Sequence, residues 1–572
     1  GFDTEDNNLG IGTAALGGSI AGGEFNVAIG NESLDALTSG DKNTVIGYDA
    51  GGALTTGSAN TIIGENAGSN GAITGDDNTV VGKIAGYALT SGHSNTLIGR
   101  HAASALTTGV RNVALGMGAN DSAADGENDN IAIGYNAMAS ASLAGGEENV
   151  AVGNFAADAL TSADGNVVMG HNAATALTTG GNNVIIGREA VQTGVLTGAD
   201  NVVIGKKAGN DMTSSANNVI IGKDAGANIT TGADNVMIGY QAGDGFDGEN
   251  SNVGIGTDSL GGAIAGGEQN VAVGRLTLSN LTTGDDNTAV GHNAGNALTT
   301  GALNTLIGRS AGELLTIASN NVAIGQNALD AAVVERRNVA IGNSALSAHR
   351  GSSSSVADTE NTAVGFFAGA LITSGAGNTA IGANALALRL TTGSNNVGIG
   401  QGVNLNNSGV SNAIVIGHNI EGVDNDFTFG KASNVVSNDF DADAAFSRSS
   451  DQRLKTNIAN AVLGLNFIDD LRPVTYKWKA SGDLDASDSE LAHLREADDD
   501  GNIINKMNTD ITMHGLLAQE VKGALDTAGV STFKGWSEDA HGVQNISREM
   551  FVIPLIKAVQ ELSAKVKALE NA

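Results

Sequence analysis

The chain contains no cysteine and only two prolines among its 572 residues. Without cysteine the fold has neither disulfide bonds nor thiolate metal ligands, and the redox compartment is left open. Aromatic side chains are only 3% of the residues, which favours thin repeated layers of Val, Ile, Leu and Ala over one large globular core. Both prolines, Pro473 and Pro554, and both tryptophans, Trp478 and Trp536, follow residue 450. This uneven composition predicts a domain boundary near that position.

Positive charge is also scarce, because 29 Lys and Arg residues face 61 Asp and Glu residues and give a net charge of -32. Such a chain repels nucleic acid and anionic lipid, so we predict neither as a partner. No run of about 20 apolar residues is present, which predicts no membrane insertion. No signal peptide is visible. We predict no cofactor and no metal site. The chain begins inside a repeat at Gly1-Phe2-Asp3, so we expect an N-terminal attachment region to be missing.

Glycine, in contrast, is abundant at 82 residues, and it punctuates a repeat over residues 1–417. The unit reads Asn-x-Ala-Ile-Gly, as in Asn26–Gly30, then a polar stretch and Ala-Leu-Thr-Thr-Gly. There are 24 closing glycines, spaced 17 or 18 residues apart with two exceptions. Seven units form a longer repeat of 122 residues, which separates Gly12 from Gly134 and Gly134 from Gly256. Repeats of this length indicate an array of stacked supersecondary units.

The chemistry of one unit predicts how the array folds. The x-Ala-Ile segment is typical of a short strand, on which Val27 and Ile29 share one face and Ala28 takes the other. Both faces are apolar, so one fills the coil interior and the other needs a further partner. The Ala-Leu-Thr-Thr segment is expected to be a second strand, and glycine allows a turn with positive φ. We therefore predict a parallel β-solenoid of about 24 coils, with the repeated asparagines forming a hydrogen-bonded ladder.

The Asn-x-Ala-Ile-Gly units resemble the head repeats of trimeric adhesins and similar repeats of phage tail fibres. That resemblance implies a homotrimer in which three solenoids pack around one axis with the strands facing inward. After Gly417 the period stops, and residues 418–449 are predicted to be a connector or cap. Asn425–Gly430 is expected to form a capping strand, and the polar, Ser-rich stretch that follows is expected to be an exposed strand or linker.

The remaining residues, 450–572, open with Ser450-Asp451-Gln452-Arg453-Leu454-Lys455. This opening resembles the start of the intramolecular chaperone of endosialidase-type tail spikes and tail fibres, the peptidase S74 family. Two later segments resemble the same family: Leu471-Arg472-Pro473-Val474-Thr475-Tyr476-Lys477-Trp478 and Gly515-Leu516-Leu517-Ala518-Gln519-Glu520-Val521. The resemblance implies a small α+β domain that assembles three chains.

The resemblance also implies a cleavage site between Ser449 and Ser450, with Ser450 as nucleophile and Lys455 as base. A lysine activates a serine hydroxyl only when burial or neighbouring positive charge depresses the pKa of its amine. Arg453 is a candidate for that charge, and Asp451 and His514 are further candidates to assist. The alternative is that the segment only packs and remains as a permanent cap. Enzymatic activity is thus expected only as self-cleavage by a Ser-Lys dyad.

The last segment, 550–570, has the heptad pattern of a coiled coil. The apolar residues follow a 3-4-3-4-3 spacing and are Val552, Leu555, Val559, Leu562, Val566 and Leu569. Val at position a with Leu at position d favours two strands by residue preference, whereas the resemblance implies three.

Together these features predict a homotrimeric phage tail fibre, carried on the virion, with a self-cleaving C-terminal chaperone. Its expected partners are a glycan receptor on the host surface and other tail proteins bound through the missing N-terminal region. The rival hypothesis is a bacterial surface adhesin or extracellular filament built from the same repeats.

Overall fold

The computed structural model describes residues 2–3, 7–121, 126–139, 145–350, 357–432, 434–439, 452–485, 487–488, 491, 494–495, 509–539 and 541–571. The chain divides into two compact units, residues 1–448 and residues 449–572.

The first unit is a parallel β-solenoid, as the repeat predicts. Each coil contributes one short strand, which we call a rung, and it pairs in register with the rungs before and after it. Ala28, for example, lies opposite Val45, and Val45 lies opposite Ile62. The 24 rungs are Asn8–Ile11, Val27–Ile29, Thr44–Ile46, Thr61–Ile63, Thr79–Val81, Thr96–Ile98, Val113–Leu115, Ile131–Ile133, Val150–Val152, Val167–Met169, Val184–Ile186, Val202–Ile204, Val219–Ile221, Val236–Ile238, Val253–Ile255, Val271–Val273, Thr288–Val290, Thr305–Ile307, Val322–Ile324, Val339–Ile341, Thr362–Val364, Thr379–Ile381, Val397–Ile399 and Ile414–His418.

The alternation of side chains along each rung is as predicted. The central residue, such as Ala28 or Ile62, is fully buried inside the coil. The residues on either side of it, such as Val27 and Ile29, point outward and are half-buried. The leucine of the Ala-Leu-Thr-Thr segment, for example Leu89, is also fully buried. The interior is therefore a continuous stack of small aliphatic layers that needs almost no aromatic side chain.

The prediction of a second strand in each coil is wrong. Within the described coils, the Ala-Leu-Thr-Thr segment forms only isolated bridges, between Leu54 and Ile73 and between Leu177 and Leu196. The hydrogen bonds give the reason. The backbone N–H groups of Thr38 and Ser39 both donate to the Thr55 carbonyl, at 2.9 and 3.3 Å. Two successive amides that share one acceptor break the alternating pattern that a strand ladder requires.

Each rung is bounded by two corners in the left-handed backbone region. The residue just before the ladder asparagine has a positive φ, as at Asp77 (59°), and so has the second residue after the rung glycine, as at Asn66 (56°). The rung glycines themselves lie at larger positive φ, 142° at Gly47. A Cβ atom on Gly47 would lie 2.5 Å from the Gly64 carbonyl oxygen of the next coil. Close stacking of the coils therefore requires glycine here.

The asparagines form the predicted ladder. Asn43 Nδ2 donates to Asn26 Oδ1 at 2.9 Å, and the backbone N–H of Asn43 donates to the same oxygen at 2.9 Å. Asn43 Nδ2 also donates to the Gly57 carbonyl of the following coil at 2.9 Å. Asn60 repeats the arrangement on Asn43. Buried amides thus satisfy one another from coil to coil, which removes the penalty of burying them.

The longest coil departs from the pattern near residue 350. Glu335–Arg336 and Ala357–Asp358 form an extra pair of parallel strands there. His349 is fully buried in the same coil, and its Nε2 lies 3.0 Å from Thr359 Oγ1. Buried polar groups, Glu335 in the preceding coil and His349 in this one, therefore lie beside the aliphatic layers here.

The solenoid ends with a change of strand direction. Asp426–Lys431 stacks in parallel on the rung Ile414–His418, where the sequence predicts a capping strand. Asn434–Asp439 then pairs with it in the antiparallel sense. Three further short strands complete the unit: Phe2–Asp3, and the pair Asn404–Leu405 with Glu421–Gly422.

The second unit is a small α+β domain. Its helices are α1 (Leu465–Asp469), α2 (Ala518–Thr527) and α3 (Val552–Glu570), with 3-10 helices at Gln452–Leu454, Ser481–Asp483 and Arg548–Phe551. Its strands are Val474–Tyr476, Met513–Gly515, Trp536–Glu538 and Gln544–Ile546. The core joins Phe467 of α1 to Val521 and Leu525 of α2. Across the described parts of both units, no helix has the length and apolarity to cross a membrane.

Candidate assembly and cleavage site

The predicted cleavage site falls only partly within the described residues. Ser449, Ser450 and Asp451 lie outside them. The next residues form the 3-10 helix Gln452–Leu454, and the Lys455 N–H closes it by donating to the Gln452 carbonyl at 3.0 Å. The side chains of Arg453 and Lys455 are exposed. The predicted base therefore follows directly on a tight helical turn that begins two residues after Ser450.

His514 belongs to a different part of the unit. It lies in the strand Met513–Gly515 and is paired with Thr475 in the antiparallel strand Val474–Tyr476. Its side chain is exposed. The position of His514 is thus set by a strand pairing that the sequence did not predict.

The two later motif segments come together in space. The strand of the first segment, Val474–Tyr476, pairs with Met513–Gly515, which leads into the second segment. Arg472 of the first segment forms a two-pronged ion pair with Glu520 of the second, in which Nε lies 3.3 Å from Oε2. Glu520 thereby raises the pKa of the Arg472 guanidinium above its ordinary value. Both segments form one scaffold within the unit.

Helix α3 is anchored to the unit through its first half. Pro554 and Ala558 are buried, and Glu561 Oε2 accepts the backbone N–H of Leu465 at 2.8 Å. This hydrogen bond, assisted by Lys557 at 3.4 Å, lowers the pKa of the Glu561 carboxyl below its ordinary value. Beyond Glu561 every described residue of the helix is exposed. The second half of α3 therefore projects away from the domain core.

Among the described residues of the second unit, the heptad residues of α3 form an exposed apolar surface. All six are exposed, from 45% at Val566 to 77% at Leu569. Ile553 and Ile556 widen the same surface, at 59% and 50% exposure. The sequence pattern identified the six heptad residues but missed these two isoleucines, because they fall outside the 3-4 spacing. An apolar cavity of about 330 Å³ adjoins the surface and is lined by Val462, Phe533, Met550, Ile553 and Pro554 among others.

The solenoid also presents an uncovered apolar surface, formed by the outward residues of the rungs, which we call the rung face. Its members follow one another along the stack, and several are substantially exposed, for example Ile11, Ile46, Leu115, Met169 and Ile307. A row of aliphatic side chains repeated over so many coils exceeds the isolated apolar residues that a monomer normally exposes.

Residues 450–530 match the family model of peptidase S74, whose description is chaperone of endosialidase. The match begins at the predicted nucleophile Ser450 and contains both later motif segments. No curated protein matches the chain. The family supports a chaperone that trimerises a tail fibre or tail spike. The family match and the 24-rung solenoid together fit a tail-fibre-like protein with a C-terminal chaperone domain.

Proposed function

We propose that the chain is one subunit of a homotrimeric phage tail fibre, in which residues 450–572 align three chains and are then cleaved off between Ser449 and Ser450. The observation that carries the proposal is the S74 match beginning at Ser450, in a chain whose earlier residues form a long solenoid with an uncovered apolar face. The mature fibre is then the solenoid with its connector, carried on the virion.

Trimerisation accounts for both uncovered apolar surfaces. The rung face and the α3 heptad surface each need an apolar partner, and two further copies of the chain supply one to both. Because the coils are short and nearly identical, three chains can pair out of register by one coil. A C-terminal unit that brings the chain ends together first, through Leu555, Leu562 and their heptad neighbours, sets the register before the slow parallel pairing begins.

The proposed cleavage needs no group beyond the chain and water. The Lys455 amine takes the proton from the Ser450 hydroxyl, whose oxygen adds to the carbonyl carbon of Ser449. The peptide C–N bond breaks as the nitrogen of Ser450 receives a proton, and an ester joins Ser449 to the Ser450 oxygen. Water hydrolyses the ester, which restores the Ser450 hydroxyl and leaves a carboxylate on Ser449.

Cleavage would make assembly irreversible. Once residues 450–572 are released, an unfolded solenoid no longer carries the unit that aligned it, so stability becomes a matter of unfolding rate. A fibre of this kind is suited to host attachment. We propose that it binds a glycan on the host surface, and that an N-terminal region attaches it to other tail proteins.

The decisive experiment is the intact mass of the purified full chain beside three variants. The wild type is expected to give two species, one that ends at Ser449 and one that begins at Ser450. Ser450→Ala removes the nucleophile and Lys455→Arg removes a base that can lose its proton, so both should remain full length. Ser449→Ala is the matched control, because it changes the neighbouring side chain without removing either group, and it should still be cleaved.

A full-length wild type would overturn the cleavage and leave a permanent trimerising domain. Light scattering on the same samples tests the trimer separately, because uncleaved Ser450→Ala should have three times the mass of one chain. A monomeric mass for that variant would overturn the assembly role.

A further inference from the structure

Two rows of side chains flank the rung face, one along each side, and they carry opposite charge. The first row, which we call the basic edge, consists of the residue directly after each of the 24 rung glycines. Seven of these residues are Lys or Arg, and only Glu65 is acidic. The basic members are Lys83, Arg100, Arg188, Lys206, Lys223, Arg275 and Arg309. In a chain with twice as many acids as bases, this row has the opposite bias.

The second row, which we call the acidic edge, consists of the two residues before each ladder asparagine and before Ala413, its equivalent in the last coil. It holds 15 acids and four bases. Because the rungs stack in register, each edge keeps its place from coil to coil. Three coils carry charge on both edges: Asp76 and Asp77 with Lys83, Asp200 with Lys206, and Glu268 with Arg275. The rung face therefore has an acidic border on one side and a basic border on the other.

Local folding explains the polarity of these rows but not their charge. On the acidic edge, Asp41 Oδ1 accepts the Glu24 N–H at 2.8 Å, but Ser58 Oγ accepts the Asp41 N–H equally well at 3.1 Å. On the basic edge, the side chain that accepts a backbone N–H is an asparagine, Asn31, bonded to Thr13 at 3.0 Å. Lysine and arginine have no acceptor atom for that role.

Pairing within one chain also leaves the basic edge largely unexplained. Lys83 pairs with Glu65 at 2.9 Å and Lys223 with Asp224 at 2.9 Å, but all four side chains are at least partly exposed. Such surface pairs stabilise a fold little. In the described part of the chain, Lys206, Arg275 and Arg309 form no ion pair within 4.0 Å. The basic edge is thus available to a partner.

We propose that the partner is the acidic edge of a neighbouring copy of this chain, so that the two edges fix the solenoids in parallel orientation. The proposal rests on the homotrimer proposed above. When parallel chains turn their rung faces to a common axis, the basic edge of each meets the acidic edge of the next. If one chain is reversed, like edges meet and repel one another. With a net charge of -32 on every chain, such local complementarity also offsets their general repulsion.

The test uses the full chain carrying Ser450→Ala, so that cleavage does not alter its mass. One variant reverses the basic edge with Lys83→Glu, Lys206→Glu and Arg275→Glu. A second reverses the acidic edge with Asp77→Lys, Asp200→Lys and Glu268→Lys. A third combines all six changes. Positions equivalent to Asp77 already hold Lys42 and Arg111 in other coils, so lysine is compatible with that corner. Light scattering gives the mass, and thermal unfolding at low and high salt gives the stability.

Each single-edge variant is expected to unfold several degrees below the parent, or to lose the trimer, and the six-fold variant should recover. The acidic-edge variant is informative by itself, because it makes the chain less negative and would be stabilised if only net charge mattered. The proposal is overturned if the parent is a trimer and either edge can be reversed without effect, or if the six-fold variant is the least stable. A monomeric parent would instead contradict the homotrimer itself.

Discussion

Asn201 Oδ1 accepts two hydrogen bonds from Asn218, one from its backbone N–H at 3.0 Å and one from its side-chain Nδ2 at 3.1 Å. Asn218 in turn donates to the Gly232 carbonyl at 2.9 Å and accepts the Asn235 N–H at 3.0 Å. One buried side chain therefore joins three successive coils. Loss of this side chain should therefore destabilise the neighbouring coils as well as its own.

Replacing Asn218 with alanine is expected to destabilise the solenoid by about 3 kcal/mol, because it leaves the buried Asn235 N–H and Gly232 carbonyl without partners. Chemical or thermal unfolding of the full chain measures the loss. Ser214→Ala is the control, since Ser214 is exposed in the same coil, and it should change stability by no more than about 0.5 kcal/mol. Equal effects from the two variants would contradict the structural role of the ladder.

Substitution of a rung glycine is predicted to be at least as damaging. Gly187 has a φ of 147°, and a Cβ atom there would collide with the Gly205 carbonyl of the next coil. Gly187→Ala should therefore destabilise the solenoid by more than about 2 kcal/mol through strain and lost stacking. Gly523→Ala provides the contrast, because Gly523 lies inside α2 with open space around its Cα. Alanine there should be neutral or stabilising by up to about 1 kcal/mol.

His349 is expected to make the stability of its coil depend on pH. Burial lowers the pKa of its imidazole below the ordinary 6.5, while the nearby Glu335 acts in the opposite direction. The folded state therefore prefers the neutral imidazole. The folded solenoid keeps its full stability above pH 6.5 and loses stability as the pH falls towards the folded-state pKa, because the unfolded chain binds the proton more readily. Thermal unfolding at pH 7.5 and pH 5 measures the difference, which should be smaller in His349→Gln. A variant with the same pH dependence as the wild type would show that other groups cause it.

The heptad surface of α3 should be sensitive at its centre. Leu562 is 50% exposed in the single chain, and Leu562→Asp places a charge in the proposed coiled-coil seam. In uncleaved chains carrying Ser450→Ala, we expect the trimer to weaken at least ten-fold, measured by light scattering against concentration. Ser563→Ala alters the adjacent exposed residue outside the seam and should leave the mass unchanged. If Leu562→Asp also stays trimeric at the lowest concentration, α3 is not an assembly element.

The sequence was most informative where one short unit is repeated. Asn26, Ala28 and Gly30 each have a single role in every coil, and stacking in register makes those roles visible as a period. The failures have physical causes as well. The Thr38 segment has the composition of a strand, but the N–H groups of Thr38 and Ser39 share one acceptor, the Thr55 carbonyl of the next coil. The sequence did not predict the positive φ at Asp77, because many residue types occupy the equivalent corner in other coils. His349 occurs once, so no period could reveal its burial. The roles given to Ser450 and Lys455 stay predictions.

The antiparallel strand Asn434–Asp439 has a consequence for growth. A solenoid of identical rungs is a template, since its last rung offers the same unpaired groups that accepted the rung before it. Here the final partner, Asn434–Asp439, runs in the opposite direction and contains no glycine. Within the described residues, this strand therefore does not repeat the parallel template on which a further coil would stack. Each coil added within the repeat would lengthen the solenoid by about 4.8 Å.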